Sequence, residues 1–84
     1  MDDHQQNIIV KVKSMEDGGS ILFRINTATP LRKLILAYCE WKELVADDIR
    51  LVHKGLQLER DRTPEQYKIK DGSVIYALLT LRGS

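Results

Sequence analysis

Cys39 is the only cysteine in the chain, and His4 and His53 are its two histidines. Any nucleophilic or metal chemistry would have to be built from these three together with carboxylates. A thiol nucleophile needs a base and an orienting group held beside it, and a metal site needs ligands at close, regular spacing. Cys39 falls within a stretch of helical apolar spacing, His4 in a polar leading segment, and His53 at the end of a β-branched run. None of them stands in such a pattern, and Cys39 reads as a buried structural thiol. No glycine-rich phosphate loop precedes the helical stretch. The expectation is therefore no enzyme, no metal and no cofactor, which leaves recognition by surfaces.

Those surfaces must be carried by a small set of elements. Residues 8–13 alternate with Ile8, Val10 and Val12 on one side, as a half-buried strand does. Asp17-Gly18-Gly19 then supplies a tight hairpin loop. Residues 20–26 set Ile21, Phe23 and Ile25 against Leu22, Arg24 and Asn26, which predicts an antiparallel partner with Leu22 on its wet side. Thr29-Pro30 is a helix start in which the Thr side chain caps free N–H groups and Pro takes the first helical position. The helix is predicted over residues 30–43. Leu31, Leu34, Ile35, Tyr38, Trp41 and Val45 form its apolar stripe, and Leu36 lies off the stripe as an exposed apolar residue. Residues 49–53 read as a third strand, Leu58 as a short apolar touch after the Lys54-Gly55 turn, and Thr63-Pro64 as the start of a single helical turn. Residues 73–79 are almost continuously apolar, which suits a central strand. This order predicts an α+β domain, a β-grasp arrangement with a mixed sheet packed on one main helix and its other face open to solvent.

With 84 residues the chain holds one hydrophobic core. Hydrophobic residues make up 43% and charged residues 30%, the balance of a folded domain rather than a disordered one. Thirteen Lys and Arg against 12 Asp and Glu leave a formal charge of +1, so neither nucleic acid nor a membrane surface is an expected partner. No apolar run approaches the roughly 20 residues that span a bilayer, and the polar first residues do not form a signal segment. A single cysteine in so small a domain fits the reducing cell interior. The expected division is a flexible tail over residues 1–7, one domain over 8–79 and a second flexible tail over 80–84.

The stretch from Ile21 to Cys39, above all Thr29-Pro30-Leu31-Arg32-Lys33-Leu34 with Ala37-Tyr38-Cys39-Glu40, resembles the second strand and helix of SUMO proteins. Arg50-Leu51-Val52, Lys54-Gly55, Gln57-Leu58-Glu59, Arg62-Thr63, Tyr67, Ile69 and Leu81-Arg82-Gly83 look at least as much like ubiquitin. The resemblance covers nearly the whole chain from Ile8 on. It implies a SUMO-type ubiquitin-like modifier, joined to substrate lysines through a C-terminal glycine and read noncovalently by partner peptides. The alternative is a SUMO-like interaction domain that is never conjugated and docks on conjugation machinery or another protein. Implied partners are the activating and conjugating enzymes and proteases of such a pathway, and peptides with an extended apolar motif. The implied state is a monomer, in nucleus and cytoplasm.

Three sites follow from the resemblance. The first is a peptide-binding groove between the second strand and the helix, formed by Leu22, Phe23, Arg24, Ile25, Lys33, Leu34, Tyr38 and Trp41, with the second strand as sheet edge. In SUMO-like proteins the matching groove takes an extended apolar peptide as an added strand. Phe23, Ile25, Leu34 and Tyr38 equally suit the core. Trp41 stands where the SUMO pattern has Arg, and Asn26 where it has Lys, which removes two cations. The second site is an open sheet face where Val52, Tyr76 and Leu78 match ubiquitin's exposed apolar patch, ringed by Arg50, Lys54 and Lys68; a solvated face with scattered apolar residues is the other reading. The third is the conjugation tail, Leu81, Arg82 and Gly83. The mature proteins it resembles end in two glycines, whereas Ser84 stands last here. Poor activation of that end by SUMO or ubiquitin activating enzymes is expected.

Overall fold

The computed structural model describes residues 6–80. His4, Ser84 and the proposed conjugation residues Leu81, Arg82 and Gly83 lie outside the described residues. Five strands and one helix follow one another as β1 (Asn7–Ser14), β2 (Ser20–Asn26), α1 (Arg32–Lys42), β3 (Ile49–His53), β4 (Leu56–Gln57) and β5 (Val74–Leu79). Single 3₁₀ turns occupy Ala46–Asp48 and Pro64–Tyr67. The strands form one sheet in the order β2-β1-β5-β3-β4, with β1 and β5 parallel and the other neighbours antiparallel. This is the expected mixed β-grasp sheet. β5, the most apolar strand, is central and β2 is an edge.

The alternation in β1 buries Ile8, Val10 and Val12 on the helix side, where they meet Leu51, Ile75 and Ala77 from β3 and β5 and Leu31, Leu34, Ile35 and Tyr38 from α1. Removing such side chains from water is the main favourable contribution to folding, about 1.5–3 kcal/mol for each large one. The hairpin between β1 and β2 is held by its own polar side chains. Ser14 Oγ accepts from the N–H groups of Glu16 and Asp17, and Asp17 Oδ1 accepts from Gly19 N–H at 2.8 Å. Gly18 sits at φ 75°, a left-handed conformation that costs other residues energy.

The two Thr-Pro pairs behave differently. Thr63 caps the Pro64–Tyr67 turn reciprocally, accepting from Gln66 N–H while its own N–H donates to Gln66 Oε1 at 2.9 Å. Thr29 makes no side-chain cap on α1. The helix begins at Arg32 rather than Pro30, because the leading N–H groups have better-placed acceptors. Leu31 N–H donates to the Arg62 carbonyl at 2.8 Å and Arg32 N–H to the Arg60 carbonyl at 2.9 Å. The loop before the Pro64 turn thus caps the helix. At the other end Glu43 adopts the left-handed conformation and closes α1 after Lys42.

That stop corrects the apolar stripe. Val45 lies beyond the helix and is 62% exposed, and Trp41, on its last turn, is 70% exposed. Leu31, Leu34, Ile35 and Tyr38 are buried as predicted, and Leu22 and Leu36 are exposed as predicted. Thr80, assigned to the tail from sequence, donates its N–H to the Asp48 carbonyl at 2.6 Å. Asn7, likewise assigned to a tail, is the first residue of β1.

Candidate functional site

The outer edge of β2 is set by register. Ser14 N–H donates to the Gly19 carbonyl and Thr27 N–H to the Gln6 carbonyl, and every pair between them keeps the same register, from Lys13 opposite Ser20 to Asn7 opposite Asn26. In an antiparallel ladder, residues alternate in the direction of their backbone groups. Ile21, Phe23 and Ile25 therefore turn N–H and C=O towards β1, while Leu22 and Arg24 turn theirs away from the sheet. Asn26 ends this edge, because its carbonyl accepts from Thr29 N–H at 3.1 Å.

Beside that edge a cleft of about 300 Å³ opens between β2 and α1. Ile25, Leu31, Leu34 and Ala37 supply its apolar wall, and Arg24, Lys33, Asn7 and Asn26 its polar rim. Of the residues expected in the groove, Arg24, Ile25, Lys33 and Leu34 come together here. Phe23 and Tyr38 meet edge to face, with ring centroids 6.4 Å apart and planes at 62°, and Tyr38 is buried. Leu22 does not line the cleft; it alternates onto the open face of the sheet together with Arg24 and Asn26, and of these three only Arg24 and Asn26 border the cleft. Trp41 does not line it either; it stands one helical turn beyond Ala37. The cleft also takes in Asn7, Thr29, Pro30 and Pro64, which were not expected. Ala37 was within reach of sequence, four residues after Lys33 on one helical row, and Asn7 followed from its pairing with Asn26. Pro64 comes from a distant loop and had no local signal.

On the open face Val52 lies directly opposite Tyr76, and Arg50 opposite Leu78. Tyr76 is 37% exposed, Val52 and Leu78 are half-buried, and Leu51, Ile75 and Ala77 point into the core as their alternation required. Across β5, Lys13 pairs with Tyr76 and Lys11 with Val74, which adds two cations to the patch. The spacing of Lys11 and Lys13 between Val10 and Val12 carried that signal.

Chemistry-bearing groups are few. Cys39 is buried, and desolvation pushes its thiol above its ordinary pKa, away from the nucleophilic form. His53 is buried with Nδ1 3.2 Å from the Val74 carbonyl oxygen, which assigns the proton to Nδ1 and gives the ring a structural role. Among the described residues no group of three or more His, Cys, Asp or Glu is arranged to hold a metal ion. No helix among them is long and apolar enough to cross a membrane.

Residues 6–79 match the family model described as "Ubiquitin-2 like Rad60 SUMO-like". The chain belongs to this SUMO-like family. Its relatives include small ubiquitin-related modifier 2 of Arabidopsis thaliana, 35% identical over 81 residues that cover 96% of this chain and 78% of the relative. The human protein named small ubiquitin-related modifier 2 is 34% identical over 73 residues, 87% of this chain and 76% of that one. Among solved structures, a ubiquitin of Caldiarchaeum subterraneum superposes with a TM-score of 0.85 at 21% identity, covering 94% of this chain and all of the other, which establishes the ubiquitin-like fold. This SUMO-like protein is accordingly a non-enzymatic member of the ubiquitin-like superfamily.

Proposed function

We propose that this SUMO-like protein is a SUMO-type modifier, joined to substrate lysines through a C-terminal glycine and read by extended apolar peptides that add as a strand to β2. The observation that supports the reading best is the outward-turned backbone of Leu22 and Arg24 lying beside an apolar cleft. Strand addition needs both, because main-chain hydrogen bonds supply affinity and a pocket for alternate side chains supplies selectivity. Val and Ile side chains of the peptide rest on Ile25, Leu34 and Ala37, and Arg24 and Lys33 attract carboxylates that flank them. In this reading the protein passes through activating and conjugating enzymes and proteases of a ubiquitin-like pathway, in nucleus and cytoplasm.

Amide chemical shifts on titration with a Val- and Ile-rich peptide test the groove. Shifts are expected over residues 22–25 and at Lys33 and Tyr38, with a Kd in roughly the micromolar range because the interface is small and the peptide must be ordered. Shifts confined to Val52 and Tyr76 would remove the groove from the account. A thioester gel with SUMO and ubiquitin activating enzymes tests conjugation, using the chain as it stands and Ser84→Gly, since a side chain restricts the backbone where glycine does not. Charging of Ser84→Gly supports the modifier. Failure of both forms to charge, with groove binding intact, favours the unconjugated docking domain.

A further inference from the structure

We infer that the groove is polarised along its length, and that its occupant is an extended peptide with carboxylates at one end of its apolar segment and an arginine at the other, stacked on Trp41. This rests on the strand-addition reading above and specifies its ligand.

Lys33, Ala37 and Trp41 follow one another at four-residue spacing and so form one ridge of α1. The first two line the cleft, and Trp41 continues their row towards the β1–β2 hairpin. The hairpin is fixed at that end of the helix, with Lys42 Nζ 3.3 Å from Asp17 Oδ2. Because β2 is the sheet edge among the described residues, none of their strands lies beyond it to cover this row, and Trp41 is left 70% exposed. A large aromatic side chain in water at the end of an open cleft is the kind of residue that anchors a partner.

Charge divides the two ends. Arg24 and Lys33 stand where α1 begins, and the positive end of the helix dipole adds to them. At the other end Glu40 on the last turn of α1 and Glu43 at its C-cap are exposed, and Asp17 of the hairpin is ion-paired with Lys42, while Glu16 Oε2 accepts from Leu79 N–H at 3.3 Å. The negative end of the helix dipole lies there too. The Gly19 N–H and Lys42 hold the Asp17 carboxyl below its ordinary pKa. A carboxylate on the peptide is attracted at the first end and repelled at the second. A guanidinium suits the second end on both counts, because its flat face stacks on indole and its N–H fork meets carboxylates.

The test uses short synthetic peptides with a Val-Ile core, aspartates on one side and arginine on the other, made in both sequence orders, because the added strand can run either way. Each is compared with a version carrying alanine in place of the arginine. Trp41 is the only tryptophan in the chain, so its emission reports contact directly. The arginine peptide of one order is expected to bind about two- to five-fold tighter than its alanine counterpart and to change Trp41 emission. By calorimetry, Trp41→Ala should erase the difference between the arginine and alanine peptides, and Trp41→Phe should retain part of it. Equal binding of both peptides over residues 22–25 with unchanged emission would leave the groove standing and overturn the arginine assignment alone. Absence of any shift over residues 22–25 would remove the strand-addition reading and this inference together. Emission that varies with protein concentration before peptide is added, as when a second copy covers Trp41, would overturn it as well.

Discussion

Proline at two adjacent positions of β2 should have opposite consequences, because the ladder turns the N–H of Ile21 inward and that of Leu22 outward. Ile21 faces Val12 in the register, and Val12 is fully buried. Ile21→Pro removes the donor to the Val12 carbonyl and leaves that acceptor unpaired next to the core, which costs about 1–3 kcal/mol. The proper reference is Ile21→Ala, which loses the side chain but keeps the N–H. In a domain of this size each kcal/mol lowers Tm by roughly 4–8 °C, so the proline variant should melt on the order of 10 °C below the alanine one. Leu22→Pro removes an N–H that the ladder does not use, and edge strands tolerate proline at such positions. Its Tm should fall within a few degrees of Leu22→Ala, by roughly 0.5 kcal/mol or less. Groove affinity should nevertheless drop, since one peptide hydrogen bond with a net value of about 0.5–1.5 kcal/mol is lost, a factor of roughly 2–10. Thermal denaturation followed by circular dichroism, with calorimetry of the apolar peptide, reads both quantities. A Leu22→Pro variant that unfolds while Ile21→Pro does not would refute the assigned alternation. One that folds and binds as tightly as Leu22→Ala would refute strand addition at this edge.

Leu51→Ala, at a fully buried position of β3, should cost about 2–5 kcal/mol in denaturant unfolding, and a change below 1 kcal/mol would place Leu51 outside the core. The Cys39 thiol should alkylate slowly in the native protein and quickly in denaturant. Its folded pKa is raised by burial above the ordinary 9.0, so above that pH the unfolded chain holds fewer protons and stability falls as pH rises. Denaturation midpoints between pH 8 and 10 should therefore decline more steeply for the native sequence than for Cys39→Ala. The Asp17 carboxyl should titrate by NMR below its ordinary 3.8, and Lys42→Met should bring the midpoint only part of the way back, because the Gly19 N–H is the larger cause.

Where a local pattern and the tertiary structure asked for the same thing, the sequence was readable. Ile8, Val10 and Val12 had to share a face, the apolar run ending in Leu79 had to be central, and Thr63-Pro64 had to open a turn, because its reciprocal cap with Gln66 is local even though Glu65 N–H donates to the distant Thr27 carbonyl. Thr29-Pro30 carries the same two residues but reads differently in three dimensions. Carbonyls of Arg60 and Arg62, some 30 positions away, reach the helix N–H groups first. The helical period likewise placed Trp41 on the apolar stripe that packs on the sheet, since period alone does not say where the sheet beneath a helix runs out. The groove was legible where it is built from β2 and α1 themselves, at Arg24, Ile25, Lys33 and Leu34. It was not legible at Pro64, which enters the cleft only through the course of the loop after β4.

The central strand of the sheet is the last of the strands among the described residues. β5 joins β1 to β3, so until Val74–Leu79 has been synthesised the β1–β2 hairpin and the β3–β4 pair have no common partner and the core no middle. A growing chain on the ribosome can form α1 and the first hairpin only transiently, and the sheet closes in one late step across more than 60 residues, from Lys11 to Val74. Loop closure of that length before any central pairing makes folding cooperative, with no stable half-built sheet along the way. Ribosomal stalling or proteolytic nicking ahead of Val74 therefore leaves apolar strands without their partner, exposed to aggregation and to the degradation that follows it.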